Sequence, residues 1–234
     1  MVVRNEKRKA NNDIVYFVKE SAKNEELRYS LRTLKNFPHR KVYFYGGCPK
    51  GLKPDKHVHV NQNQNKWQNV RKMLKMACQN PFISDNFWIF NDDFFVMKKV
   101  TNPVNYYNGD LYKRIVEIEN KYHRITSYTQ LIRDVCTELE SMGCETKNYT
   151  LHVPLLVNKK KMLELLEIAS CTGYRSLYAN YFKIGGEQMR DVKIVSTSKP
   201  YKGGIYVSTD EKSFDGLVGD QIKTKFRAKC QYEI

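Results

Sequence analysis

Apolar positions recur along the chain in two rhythms. Asp13-Ile-Val-Tyr-Phe-Val18 is a nearly continuous run of β-branched and aromatic residues, the pattern of a buried strand. It gives way to Leu27, Leu31 and Leu34 at three- and four-residue steps, one stripe of a helix that Pro38 stops. Glu25 and Glu26 fall in its first turn, where the helix dipole favours acids. Residues 41–45 predict a second strand, punctuated by Gly46-Gly47, Pro49 and Gly51, and residues 57–60 a third. An Asn/Gln loop over 61–65 then leads into a helix over 66–79 with a basic outer face. Residues 86–90 predict a fourth strand that empties into Asn91-Asp92-Asp93. This β-α-β-β-α-β order argues for a mainly parallel sheet covered by helices, an α/β fold.

The second half is less regular. Helices are expected over 111–122, 127–142 and 159–169, an extended segment over 149–154, strands over 192–195 and 205–208, and a closing helix over 214–226. No internal repeat or linker divides the chain, so a basic tail (1–12) and one domain (13–234) are expected.

Composition narrows the function classes. With 41% hydrophobic residues the chain fills a real core, which excludes wholesale disorder. Lys and Arg number 40 against 25 Asp and Glu, a net charge of +15 that points to an anionic partner: nucleic acid, phosphate polymer, nucleotide or membrane surface. No stretch approaches the roughly 18 apolar residues of a membrane span. The polar start lacks the apolar segment of a signal peptide. Six scattered cysteines without a C-x-x-C pair suit neither a zinc knuckle nor a disulfide scaffold. Reduced thiols in a cytoplasmic protein are the expectation.

Asp92 and Asp93 carry the candidate chemistry. Ligands of open parallel sheets bind beyond the carboxyl ends of the strands, where this pair falls. Hard cations such as Mg²⁺ or Mn²⁺ take carboxylate oxygens and bridge a protein to a diphosphate. The alternative is an Asx turn with two solvated acids. Three further stretches bear on the choice: Asn24-Glu-Glu-Leu-Arg-Tyr-Ser-Leu-Arg32, the strand over 41–45, and Phe90-Asn-Asp-Asp93. Together they resemble the second conserved region of the Stealth family, which contains capsular polysaccharide phosphotransferases and the lysosomal-enzyme N-acetylglucosamine-1-phosphotransferase. The likeness continues, in family order, through Leu151-His-Val-Pro154, Arg175 with Leu177-Tyr-Ala-Asn-Tyr181, Thr209-Asp210 and Tyr232-Glu233.

The resemblance implies a glycosyltransferase-A-like, Rossmann-like fold, a nucleotide-sugar donor (a UDP-sugar foremost) and a divalent metal. It places Asp92 and Asp93 on the family's metal and donor-diphosphate residues. His152 falls on a histidine able to bind metal or to donate to the departing phosphate; by itself it reads first as a satisfied core histidine. Arg175 falls on an arginine suited to phosphate oxygens, and Asp210 on a terminal aspartate whose preceding Asn is Thr209 here. Arg28 is placed toward the nucleotide, or else on a solvated helix face. One departure is Lys23, which stands where the phosphotransferases carry an acid; another is Phe17-Val-Lys-Glu20, which replaces a Trp-Val-Asp/Asn-Gly turn.

Basic residues at Lys66, Arg71, Lys72 and Lys75, the pair Lys98-Lys99, and Lys159-Lys-Lys161 form a possible phosphate-backbone track. Trp67, Tyr106, Tyr107 and Tyr112 supply aromatic faces for an extruded base. Three readings follow. The first is metal-dependent transfer of a sugar to a hydroxyl on an anionic polymer, with a hydroxylated DNA base as the favoured acceptor. The second is Stealth-like transfer of a hexose-1-phosphate to a capsular polysaccharide or teichoic-acid type of cell-wall polymer. The third is a catalytically dead nucleic-acid-binding module.

Overall fold

A computed structural model describes residues 12–234. All of the expected basic tail except Asn12 lies outside the described residues.

The first half follows the hydrophobic pattern closely. β1 (Asp13–Val18) runs into α1 (Glu25–Thr33), then come β2 (Val42–Gly46), β3 (Lys56–Val58), α2 (Lys66–Gln79) and β4 (Asn86–Phe90). Asn24 caps α1 by accepting from the Leu27 amide at 2.9 Å, and a single 3-10 turn over Leu34–Asn36 carries the chain to Pro38. β5 (Phe94–Val96) follows the acidic pair directly. Then come β6 (Tyr106–Tyr107), α3 (Leu111–Tyr122), α4 (Ser127–Ser141), β7 (Leu155–Asn158), α5 (Lys159–Ile168) and α6 (Tyr174–Tyr181). β8 (Glu187–Gln188), β9 (Tyr206–Ser208), α7 (Glu211–Phe214) and α8 (Leu217–Lys225) complete the chain.

The main sheet has the order β3-β2-β1-β4-β7; β1 to β4 are parallel to one another, and β7 closes the edge antiparallel to β4. Successive side chains of a strand point to opposite faces, so both faces need cover. Val15, Tyr43 and Ile89 pack with residues of α2 to α6, whereas Ile14, Tyr16, Phe44 and Phe90 pack with Leu27 and Leu31 of α1. A third cluster joins Phe95 and Val207 to Phe214, Val218 and Ile222. The fold is thus a single α/β domain with a mainly parallel sheet between helices.

Two expectations change. Residues 192–195 are not a strand; they make only an isolated bridge, Lys193 to Ser208. The closing helix expected over 214–226 is α8, which starts only after Gly216, and a separate short helix, α7, capped by Asp210, precedes it. Gly219 then lies so close to the Phe214 carbonyl that no Cβ fits. No described helix is long and apolar enough to cross a membrane.

Candidate functional site

β4 runs beside β1 with Tyr16 level with Phe90, so both strands deliver their carboxyl ends to one edge. Asp92 and Asp93 turn the chain there, before β5 departs to pair with β9. Asn24, one residue before α1, donates its Nδ2 to Asp92 Oδ2 at 2.7 Å, so the α1 cap also orients the first acid. Asp93 Oδ2 accepts from Lys193 Nζ at 2.7 Å and from Ser208 Oγ at 3.1 Å. Its Oδ1 is buried with no partner.

Glu26, in the first turn of α1, completes the cluster and accepts from the Thr209 hydroxyl. Burial pushes Glu26 up to about 7, with the charges of Asp93 and Asp92 adding to the shift and the Thr209 hydrogen bond opposing it. Asp92 is raised as well, by burial and then by Asp93. Lys193 bonds Asp93 and opposes the shift of Glu26, and the charge of Lys66 opposes that of Asp92, yet both acids stay raised.

Among the described residues no three His, Cys, Asp or Glu side chains converge as a ready-made metal cage. Magnesium-type sites need no such cage: one or two carboxylates with substrate phosphates and water complete the shell. The unpartnered, buried Asp93 Oδ1 and the raised Asp92 are the hard oxygen donors such an ion requires, so the residues fit the group.

His152 comes next to this edge through Phe94, its ring meeting the phenyl edge-on at 6.3 Å between centroids. Asp191 takes hold of it twice: the His152 amide donates to Oδ1 at 3.1 Å, and Nδ1 lies 2.9 Å from Oδ2. A proton on Nδ1 is the tautomer this pairing selects, which leaves Nε2 as the nitrogen for a ligand. Burial alone would raise Asp191, but the His152 contacts outweigh it and hold the carboxyl below its usual range.

Arg175 is placed differently from the expectation. Its Nε donates to the Tyr149 carbonyl at 3.1 Å and its Nη2 to the Val153 carbonyl at 2.6 Å, while Nη1 is buried without a partner. The fork therefore clamps the backbone on both sides of His152 through Nε and Nη2 and leaves Nη1 uncommitted. Arg28 is likewise committed, to Glu25 and to the buried Glu233, each at 3.0 Å. Arg32 grips Glu233 bidentately at 2.7 and 2.8 Å. Burial opposes the ionised form of Glu233, but these guanidinium contacts bring it down to about 2. Arg28 thus straps the C-terminus onto α1. Asp210 caps α7 by accepting from the Ser213 amide at 2.9 Å; this bond and Lys193 offset burial and lower its pKa. It stands beside the cluster through Thr209, whose amide donates to the Asp93 carbonyl at 3.4 Å.

The basic track is also thinned. Arg71 spends its guanidinium on the carbonyls of Leu166, Ala169 and Cys171, at 2.5 to 2.8 Å. Lys159 is buried and donates to the carbonyls of Asn80 and Ile83. Lys66, Lys72, Lys75, Lys98, Lys99, Lys160 and Lys161 remain exposed. Trp67 stacks on Tyr128, Tyr106 meets Tyr206 edge-on and Tyr107 meets Tyr149 at a tilt; Tyr112 is exposed and donates to Glu140.

Sequence reasoning did not single out Glu26, Lys193 or Asp191 for the site. Glu26 lies within the quoted motif yet reads as an ordinary first-turn acid. Lys193 and Asp191 belong to a stretch whose alternation Asp191-Val-Lys-Ile-Val195 mimics a strand, and only long-range contacts show where it lands.

Sequence comparison matches the chain to no family model and to no curated protein. Solved structures do share its fold. The galactosyltransferase LgtC, in complex with donor and acceptor sugar analogues, aligns over 94% of this chain and 96% of its own, with a TM-score of 0.51 at 12% identity. An active-site mutant of LgtC aligns over 88% and 83%, with a TM-score of 0.40 at 14% identity. A 4-diphosphocytidyl-2C-methyl-D-erythritol synthase aligns over 77% and 89%, with a TM-score of 0.37 at 9% identity. The first of these likenesses makes the fold glycosyltransferase-A-like. Identities this low speak to the fold alone.

Proposed function

We propose that this chain is a metal-dependent transferase that moves a sugar from a nucleotide sugar, a UDP-sugar foremost, to a hydroxyl on an anionic polymer. The observation that carries the reading is Asp93, at the carboxyl edge of a glycosyltransferase-A-like sheet, with one carboxylate oxygen buried and unpartnered. Asp93 and Asp92 would hold Mn²⁺ or Mg²⁺, which when bound offsets charge developing on the departing diphosphate. His152, fixed by Asp191 and by the Arg175 clamp, offers Nε2 as a metal ligand or a hydrogen-bond donor to that diphosphate. The acceptor reading rests on the +15 charge and the lysines that stay exposed, with a hydroxylated DNA base favoured over a polysaccharide or teichoic acid.

A second reading, hexose-1-phosphate transfer of the Stealth kind, draws support from Glu26. Lys23, just before the α1 cap, occupies the place of the family's acid, but Glu26 brings a carboxylate into the cluster from the first turn of α1.

The test is a mass-spectrometric screen of nucleotide sugars with and without EDTA, against hydroxymethylated duplex DNA, the same duplex without the hydroxyl, and a glycan or teichoic-acid acceptor. Metal-dependent release of the nucleotide, lost in Asp93→Asn, is expected. A product heavier by a hexose supports the first reading, and one heavier by a hexose phosphate the second. A folded wild-type protein that turns over no donor returns the chain to a binding module.

A further inference from the structure

We infer that Lys193 is a donor-diphosphate residue, parked on Asp93 until a divalent cation takes that carboxylate and then turned onto the diphosphate oxygens. The inference rests on the donor site proposed above and adds to it a residue that the quoted motifs do not include.

Three observations support it. First, the Lys193–Asp93 pair is not what holds its segment in place. The Ile194 amide donates to the Ser208 carbonyl at 2.8 Å and the Ser208 amide to the Val192 carbonyl at 3.3 Å, so the backbone on either side of Lys193 is pinned to β9 without it. Second, Asp93 Oδ2 keeps a donor when the ammonium leaves, because Ser208 Oγ already bonds it at 3.1 Å. The side chain of Lys193 is 23% exposed and that of Asp93 13%, so the pair is mostly buried and the ammonium leaves only as the incoming cation replaces its charge. Third, Glu26 and Asp93 share the Lys193 ammonium while Asp93 Oδ1 has no partner, so this end of the acidic edge has room for a further cation. A divalent ion satisfies Asp93 better than an ammonium does, and its arrival frees Lys193 beside the diphosphate the ion brings. A lysine suits this exchange, being a compact charge on a flexible stem, whereas the forks of Arg28 and Arg175 are fixed on carboxylates and carbonyls.

The exchange makes two predictions of opposite sign for one substitution. In saturating Mn²⁺, calorimetric titration of Lys193→Met with UDP and, separately, with inorganic pyrophosphate is expected to show affinity at least about tenfold weaker than wild type for both, and in EDTA, where the ammonium stays on Asp93, the difference closes. Lys193→Arg keeps both within about threefold. With Mn²⁺ alone, Lys193→Met binds about fivefold tighter than wild type, the scale of losing one competitor for Asp93. Unchanged affinity of Lys193→Met for UDP and pyrophosphate in Mn²⁺ overturns the inference, as does weaker Mn²⁺ binding. If wild type binds UDP with Mn²⁺ and Asp93→Asn does not, the donor site stands whatever Lys193→Met does. If wild type binds neither, the donor site falls and this role with it.

Discussion

Replacing Glu26 by Gln should stabilise the protein above neutral pH, because the site holds this carboxylate at a cost. Its pKa rises from an ordinary 4.5 to about 7, so the folded state binds the proton more tightly than the unfolded chain does. The sign follows from linkage. The stabilisation is complete below about 4.5, declines as pH climbs, and is gone once pH passes about 7. At about 1.4 kcal/mol per tenfold step the full swing is roughly 3 kcal/mol; partial exposure of Glu26 reduces it to about 2. For a domain of this size that is about 4–8 °C in Tm. Glutamine retains an oxygen for the Thr209 hydroxyl and carries no charge beside Asp92 and Asp93. Thermal melts at pH 5, 7 and 8.5 should therefore diverge: near-equal Tm at pH 5, with Glu26→Gln higher by several degrees at pH 8.5. Parallel curves would show that Glu26 does not share the field of the acidic pair, and the three-carboxylate cluster would be wrong.

Other consequences follow from the same geometry. Glu233, brought down to about 2 from 4.5, stabilises the fold above its ordinary pKa and loses that contribution as pH falls toward 2; Glu233→Gln should cost about 2–3 kcal/mol at pH 7 in urea melts and flatten the acid limb. Asp191→Asn should lower donor turnover by about 10- to 100-fold with little change in Tm, because it releases the tautomer and orientation of His152; a variant that loses stability instead marks the pair as structural. Reversing Lys72 and Lys75, or Lys160 and Lys161, to Glu should weaken DNA binding and shrink its salt slope by about 0.9 for each lost phosphate contact, leaving UDP affinity unchanged; a slope the reversals do not move removes the polymer track.

How much of this was legible in the sequence divides along the range of the interactions. β1, α2 and β4 are read correctly because their signals are local: a continuous apolar run, a polar Asn/Gln loop, a helix with a basic outer face. The acidic pair is found for the same reason, as two carboxylates directly after the most apolar strand. What escapes is whatever a side chain does at long range. Arg71 and Lys159 look like solvated cations, yet they serve backbone carbonyls that a helix end and a neighbouring loop leave open. Arg28 and Arg175 lie in family-like motifs, but partners 205 and 22 to 26 residues away engage part of each guanidinium, which no local pattern encodes. β5 is missed because three apolar residues after a turn carry no period of their own. Lys193 reaches Asp93 across 100 residues, a contact no local pattern encodes.

The central claim is that Asp93 and Asp92 gather a divalent cation and a nucleotide diphosphate at the carboxyl edge of β4. Crystals soaked with Mn²⁺ and UDP, measured at the manganese absorption edge, locate the ion directly. The account predicts one anomalous peak per chain on the Asp93 carboxylate, with the diphosphate against it and no peak in Asp93→Asn. Manganese bound elsewhere on the chain, or a diphosphate seated away from β4, would contradict it.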